Sequence, residues 1–195
     1  MVQPSKNILI VGVGGQGVIL ASNIVTEVAL MSGLDVKKNE AHGQSQRSGS
    51  VPCHIRYGKK IYSPIILPGE ADLILAFEEL EALRWANYLK PGGKIVVNKQ
   101  RIYPPSVTSG MDKYPEEIVA ILKKENIDVI EIDGMEHAER IGNPLVVSTL
   151  LLGVLSNFLD FSEKIWVSAI TQLVPEKHRD LNLKAFQEGK KLLKV

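Results

Sequence analysis

Apolar residues at 8–11 form an unbroken run that stops at Gly12, and beyond Gly17 the rhythm changes. Val18, Ala21, Ile24, Val25, Val28 and Ala29 recur at three- and four-residue intervals, the repeat of one helix face. The pattern predicts a strand at 7–13, a tight turn, and a helix at 16–32 ended by Gly33. A short second strand follows at 34–38. Positions 39–50 hold too many Gly and Ser residues for an element interior and read as a loop. Alternation then predicts a hairpin, 51–57 and 61–66 joined at Gly58-Lys59. Pro52 and Pro64 confine it to a sheet edge or to strand ends.

The run at 72–77 suits a buried parallel strand. A helix at 78–89 follows, with Glu78, Glu79 and Glu81 in its first turn, where the helix dipole favours them. Lys90-Pro91-Gly92-Gly93 stops that helix, and 94–98 is another strand. A helix at 115–125, a strand at 127–132 and a short helix at 136–141 come next. From Asn143 onward the pattern is all helical: 144–159, 162–173 and 176–193. The first of these is apolar all round, with Gly153 allowing close approach, as in a core helix packed on a sheet. Alternating strands and helices over 7–132 predict an α/β fold. We expect a Rossmann-like, doubly wound, mostly parallel sheet with an edge β-hairpin and a helical C-terminal part, all in one domain, 1–195.

Composition narrows the function classes. The 195 residues are 45% hydrophobic and 23% charged, with a net charge of +1. That balance gives no electrostatic footing for nucleic acid or an acidic membrane surface. The most apolar stretch, 145–155, is interrupted by Ser148 and Thr149 and is too short to span a bilayer. No signal-peptide layout opens the chain, so a cytoplasmic protein is expected. Cys53 is the only cysteine. No intrachain disulfide is possible, and a thiolate-ligated iron–sulfur cluster cannot be built from this chain alone. On a strand at 51–57 it shares a face with Val51, Ile55 and Tyr57, so it reads as a small buried hydrophobe.

Candidate chemistry sits in two segments. Gly12, Gly14, Gly15, Gln16 and Gly17 make a glycine turn between strand and helix, whose free N–H groups suit an anion or a partner's backbone. Read as a dinucleotide site, the turn wants an acid at the end of strand 2. Glu40 stands at about that spacing, and Lys37 and Lys38 would favour a 2′-phosphate. Glu40, however, runs directly into His42, Gly43, Gln44, Ser45, Gln46, Arg47, Ser48 and Gly49, which is no nucleotide motif. Neutral hydrogen-bonding side chains around one arginine suit a buried interface or a bound carboxylate or phosphate. A plain solvated loop and a purely structural turn are the alternative readings. Glu78 and Asn98 fall at the C-terminal ends of predicted parallel strands, where open α/β sheets place their crevice. Glu78 reads equally as a favourable first-turn charge. No Cys or carboxylate stands at ligand spacing from His42 or His54, so no metal site is expected. No Gly-x-Ser-x-Gly elbow follows a strand, which disfavours a serine hydrolase.

Several blocks occur together in one order: Gly12-Val-Gly-Gly-Gln-Gly-Val18, His42-Gly-Gln-Ser-Gln-Arg-Ser-Gly-Ser-Val51, Ser63-Pro64, Gly69-Glu-Ala-Asp72, Glu78-x-x-Glu81-x-Leu-Arg84 and Gly92-Gly-x-x-x-x-Asn98. They resemble the gamma-type subunit, or domain, of the 2-oxoacid:ferredoxin oxidoreductases, over about residues 6–190. Ser48 departs from that pattern, which usually carries a second glycine there. Pro104-Pro105, Tyr114-Pro115, Gly142-Asn143-Pro144, Val174-Pro175 and Asn182-x-x-x-Phe186-x-x-Gly189 look most like the indolepyruvate branch. The resemblance implies a single pyruvate/ketoisovalerate ferredoxin oxidoreductase gamma-type catalytic domain. It also implies a partner: a larger subunit holding thiamine diphosphate and 4Fe–4S clusters decarboxylates the 2-oxoacid, coenzyme A accepts the acyl group, and ferredoxin takes the electrons. The gamma-type chain holds none of these redox centres and shapes the site from outside. Gamma chains of pyruvate, 2-oxoisovalerate or 2-oxoglutarate enzymes are the nearest alternatives. A free-standing NAD(P)-binding oxidoreductase and a ligand-free scaffold are the alternatives of different class.

Overall fold

Ile8 and Ile10 turn to one side of the first strand, Leu9 and Val11 to the other, and all four are fully buried. A strand covered on both faces is the hallmark of a doubly wound sheet. The computed structural model describes residues 5–41 and 49–193. Its strands are β1 (Lys6–Val13), β2 (Asp35–Glu40), β3 (Ser50–Gly58), β4 (Ala71–Ala76), β5 (Leu89–Asn98) and β6 (Asp128–Ile132). They form one sheet in the order β2-β3-β1-β4-β5-β6. β1, β4, β5 and β6 are parallel neighbours, while β3 runs antiparallel to both β1 and β2.

Eight helices flank the sheet among the described residues: α1 (Val18–Met31), α2 (Glu79–Trp85), α3 (Pro105–Thr108), α4 (Ile118–Lys124), α5 (Gly134–Ile141), α6 (Val147–Ser156), α7 (Glu163–Leu173) and α8 (Arg179–Lys191). One core joins Ile8, Ile10, Leu73, Leu75 and Val96 to residues of α1, α6, α7 and α8. The other joins Leu9, Val11, Ile74, Ile95 and Val97 to Ala82 of α2 and to Ile118 and Leu122 of α4. None of the described helices is long and apolar enough to cross a membrane.

The expected edge hairpin is corrected. β3 pairs with β2, across the 41–49 connection, and sits inside the sheet between β2 and β1. Residues 61–66 form no strand, because side chains rather than a neighbouring ladder satisfy their backbone. Asp35 accepts from the Ile61 N–H at 2.9 Å, Arg56 donates to the Ile65 carbonyl at 2.9 Å, and His54 Nδ1 accepts from the Ile66 N–H at 3.2 Å. Pro52 is tolerated away from an edge for a local reason. Its carbonyl accepts from the Ala41 N–H at 3.1 Å, so its imino side also faces this position, just past the end of β2. The ladder to β1 loses nothing.

Other boundaries shift modestly. The helix expected at 78–89 ends at Trp85 and passes through a 3₁₀ turn, Ala86–Tyr88. β5 then starts at Leu89, so Pro91, Gly92 and Gly93 lie in the strand beside a register shift in its pairing with β4. Likewise, 3₁₀ turns at Pro144–Val146 and Glu176–His178 precede α6 and α8.

All ten residues of α6 are buried. A Cβ placed on Gly153 would lie 2.1 Å from the Phe186 carbonyl oxygen, and one on Gly189 would lie 1.9 Å from that of Leu150. α6 and α8 therefore meet backbone to backbone, which only glycine permits.

Candidate functional site at the carboxyl ends of the parallel strands

The glycine turn closes because its backbone has no room for side chains. A Cβ on Gly12 would come within 2.7 Å of Val18 and 2.9 Å of Phe77. Gly17, at φ 84°, opens α1 in the left-handed region and offers no side-chain cap. Gln16 turns back into the protein. Its Oε1 accepts from the Val13 N–H at 2.6 Å, and its Nε2 donates to the Phe77 carbonyl at 3.0 Å and to Gln100 Oε1 at 2.9 Å. Asn98, fully buried at the end of β5, donates to the same two acceptors, both at 3.1 Å, and accepts from the Gly134 N–H at 2.9 Å. The ends of β1, β4 and β5 are thus tied by one amide network. Anchored on buried Asn98, such a network fixes geometry.

Above it lies a cavity of about 280 Å³, lined by Gly15, Gln16, Gly17 and Leu20, by Phe77 and Gln100, and by Met135, Pro144, Leu145, Val147 and Ser148. It occupies the place where α/β sheets put a ligand: beyond the strands' carboxyl ends, at the switch between β1 and β4.

The second segment joins the first directly. The Gly14 N–H donates to the Gly49 carbonyl at 3.1 Å. His42, Gly43, Gln44, Ser45, Gln46, Arg47 and Ser48 lie outside the described residues, but both roots of their loop are anchored. Ala41 is bonded to Pro52. At the other root the Ser50 hydroxyl donates to the carboxylate of buried Glu81, and Trp85 Nε1 donates to both at 3.3 Å. Burial pushes the Glu81 carboxyl above its usual range, against the pull of Ser50 and Arg84.

Glu78 does not reach the cavity. It caps α2, accepting from the Glu81 N–H at 2.9 Å, and also holds the Ile102 N–H at 3.1 Å and the Tyr114 hydroxyl. Of its two expected roles, it fills the one at the helix start. Glu40 ends β2, but antiparallel β3 separates that strand from β1. Two strand spacings, roughly 10 Å, then divide the acid's strand from the one bearing the glycine turn. Glu40 is engaged by Lys38, and Lys37 bonds Asp35 at 3.0 Å.

His54 is buried edge-on against Trp85 and Tyr88, and burial holds its pKa below the usual value. Cys53 is fully buried, its thiol pushed up to about 11 by desolvation. Among the described residues no group of three His, Cys, Asp or Glu side chains could hold a metal ion.

Three members of the site escaped sequence reasoning. Glu81 carried a signal, its i, i+3 spacing from Glu78. Gln100 stands two residues past the expected strand end. Ser148 interrupts an otherwise apolar helical run.

The fold and motifs recur in known proteins. The chain is 40% identical to the indolepyruvate oxidoreductase subunit IorB of Archaeoglobus fulgidus, over 94% of this chain and 92% of that protein. Its fold matches the gamma subunit of a keto/oxoacid ferredoxin oxidoreductase from Geobacter sulfurreducens, with TM-score 0.70 and 24% identity over 94% of this chain and 95% of that one. It also matches the 2-oxoglutarate:ferredoxin oxidoreductase of Magnetococcus marinus, with TM-score 0.76 and 20% identity over 97% of this chain and 31% of that larger one. Residues 7–192 match the pyruvate ferredoxin/flavodoxin oxidoreductase family, and the chain belongs to that family.

Proposed function

We propose that this chain is the small subunit of an indolepyruvate-type 2-oxoacid:ferredoxin oxidoreductase. It would support thiamine-dependent oxidative decarboxylation of an aryl 2-oxoacid to the acyl-CoA, with electrons passing to ferredoxin. The observation that carries this reading is the 40% identity to an indolepyruvate oxidoreductase subunit across nearly both full lengths.

The residues present do not fit an iron–sulfur cluster. A cluster of this type takes four thiolates. This chain has one cysteine, enclosed and with a raised pKa. On this reading the clusters and thiamine diphosphate belong to the catalytic partner, and this chain contributes shape and contacts. The loop 42–48, rooted at Ala41 and Gly49 beside the glycine turn, is the segment we assign to the partner or to a coenzyme A phosphate.

Co-purification from the native source, with the partner identified by mass, tests the assignment. A large thiamine and iron–sulfur subunit is expected in stoichiometric amount. Recovery of the chain alone, with micromolar NAD(H) or NADP(H) affinity by calorimetry, would overturn it in favour of a free-standing dehydrogenase.

A further inference from the structure

Residues 59–70, the connection from β3 to β4, run back along β3 on the α2 side of the sheet without forming a helix or a strand. Ile66 is set into the core of that side, while Tyr62, Ile65 and Leu67 are exposed. The backbone of this strap is pinned to the sheet by side chains at three stations. Asp35 accepts from the Ile61 N–H at 2.9 Å. Arg56 donates to the Ser63 and Ile65 carbonyls at 3.4 and 2.9 Å. His54 Nδ1 accepts from the Ile66 N–H at 3.2 Å. Past that point the strap is held again, by Gly69 N–H on the Asn87 carbonyl at 3.0 Å and by Asn7 on the Glu70 carbonyl at 2.9 Å.

Of the three stations only one titrates near neutral pH. Asp35 is held at about 2, chiefly by the Ile61 N–H, and an arginine stays protonated in proteins. An imidazole nitrogen accepts a hydrogen bond when neutral and can only donate when protonated. Protonation of His54 therefore sets one N–H against another at Ile66.

The surroundings of the ring give an imidazolium no compensation. His54 is 8% exposed and stands edge-on to Trp85 and Tyr88, with ring centroids 6.2 and 6.0 Å away. Its cross-strand neighbours are Leu9 of β1 and Asn39 of β2, both uncharged. The charged groups of this face are engaged elsewhere. Arg56 holds the strap, Lys37 bonds Asp35, Glu81 holds Ser50, Trp85 and Arg84, and Glu70 accepts from the Leu67 N–H at 3.1 Å. The segment 42–48 contains no Asp or Glu. Burial accordingly disfavours the charged ring.

We propose that His54 is an acid-released latch: its protonation opens the strap at Ile66 while the sheet and the stations at Asp35 and Arg56 stay closed.

The test is hydrogen exchange of the purified full chain between pH 5 and 8, read at single amides by NMR and corrected for the intrinsic rate. Opening at Ile66 should rise by up to tenfold for each pH unit below 6.5, because the open state takes up a proton that the closed state resists. The rise should level off at the pH where His54 itself titrates in the folded chain, as read from its ring proton shifts. Ile61, pinned by Asp35, should show no such rise, and Ile66 should exchange faster than Ile10 of β1 at every pH. His54→Gln, which keeps an acceptor oxygen without a titration, should flatten the profile at Ile66. His178→Gln, in the exposed turn before α8, should leave it as in wild type. A flat wild-type profile, the same rise in His54→Gln, or exchange of Ile66 in step with Ile10 would each overturn the proposal. Should His54→Gln fail to fold, the wild-type plateau decides, and a plateau away from the His54 titration point overturns the latch. The subunit assignment is read by co-purification and stands or falls separately.

Discussion

Gly14 and Gly49, 35 positions apart in the chain, share a backbone hydrogen bond of 3.1 Å, Gly14 donating. The root of the segment at 42–49 is therefore tied directly to the glycine turn. Gln16 backs the turn from below and Glu81 backs the loop through Ser50. Both supports are held by hydrogen bonds within the chain.

Arg47→Lys should leave the chain folded while weakening complex formation or turnover more than tenfold. The expectation follows from assigning Arg47 to a desolvated bidentate contact, worth on the order of 2–5 kcal/mol. The control is Arg140, in an exposed i, i+4 pair with Glu136. Arg84 is unsuitable, because it pairs with Glu81, which holds the root of the same loop. Pull-down affinity and steady-state turnover of the two variants measure the difference, and wild-type behaviour in Arg47→Lys would reduce the loop to a polar connection.

Gly153→Ala and Gly189→Ala should each be severely destabilising. A methyl group on either would overlap a carbonyl oxygen of the facing helix, at 2.1 Å and 1.9 Å. Overpacking usually costs about 1–3 kcal/mol, and a clash with backbone belongs at or above the top of that range. Urea denaturation should show a lower midpoint with little change in slope, whereas Gly110→Ala, with open space around it but a positive φ, should lose only the smaller strain cost.

Cys53 should be inert in the native protein. A thiol raised to about 11 carries almost no thiolate at neutral pH, and the side chain is enclosed. Iodoacetamide at pH 8 should leave the folded chain unmodified and alkylate it fully in guanidinium, as read by intact mass.

Stability should fall as pH drops below about 6.5, and His54 is the reason. Its folded pKa is lowered from 6.5 by burial, so its contribution is complete above that value and is lost as pH falls through the folded one. Protonation would also convert the Nδ1 acceptor of the Ile66 N–H into a donor. Asp35, held at about 2 chiefly by the Ile61 N–H and then by Lys37, adds a further loss below 3.8. Glu81 acts oppositely: its raised pKa gives a contribution complete below 4.5 and lost as pH rises through the folded value. Unfolding free energies measured from pH 4 to 8 should show the slope near pH 6 reduced in His54→Gln. An unchanged slope would assign that region to another group.

What the sequence made legible was local. The β1–turn–α1 unit shows in eight consecutive apolar and glycine positions, 8–15, followed by a helical repeat, and the burial of Cys53 follows from alternation within one strand. The place of β3 was hidden because strand pairing is chosen over long separations, and residues 61–66 have strand-like composition but find side-chain partners instead. The site was half legible for the same reason. Gln16 and Asn98 could be flagged from motif and strand end, but their meeting at Gln100 spans 84 positions. Ser148 reads in the sequence as an interruption in a core helix, and only the folded chain brings its hydroxyl beside Gly17.

The backbone contact between α6 and α8 also dictates an order of events during synthesis. Every residue of α6 is enclosed, and the side away from the sheet is enclosed by α8, through Phe186 and Gly189. While residues 179–191 are still within the ribosome, the emerging chain must carry α6 with its outer apolar side uncovered. The nascent sheet can pair, but its last layer cannot close until those thirteen residues are free. In the cell, this is the interval in which a chaperone or the partner subunit finds the most apolar surface to hold.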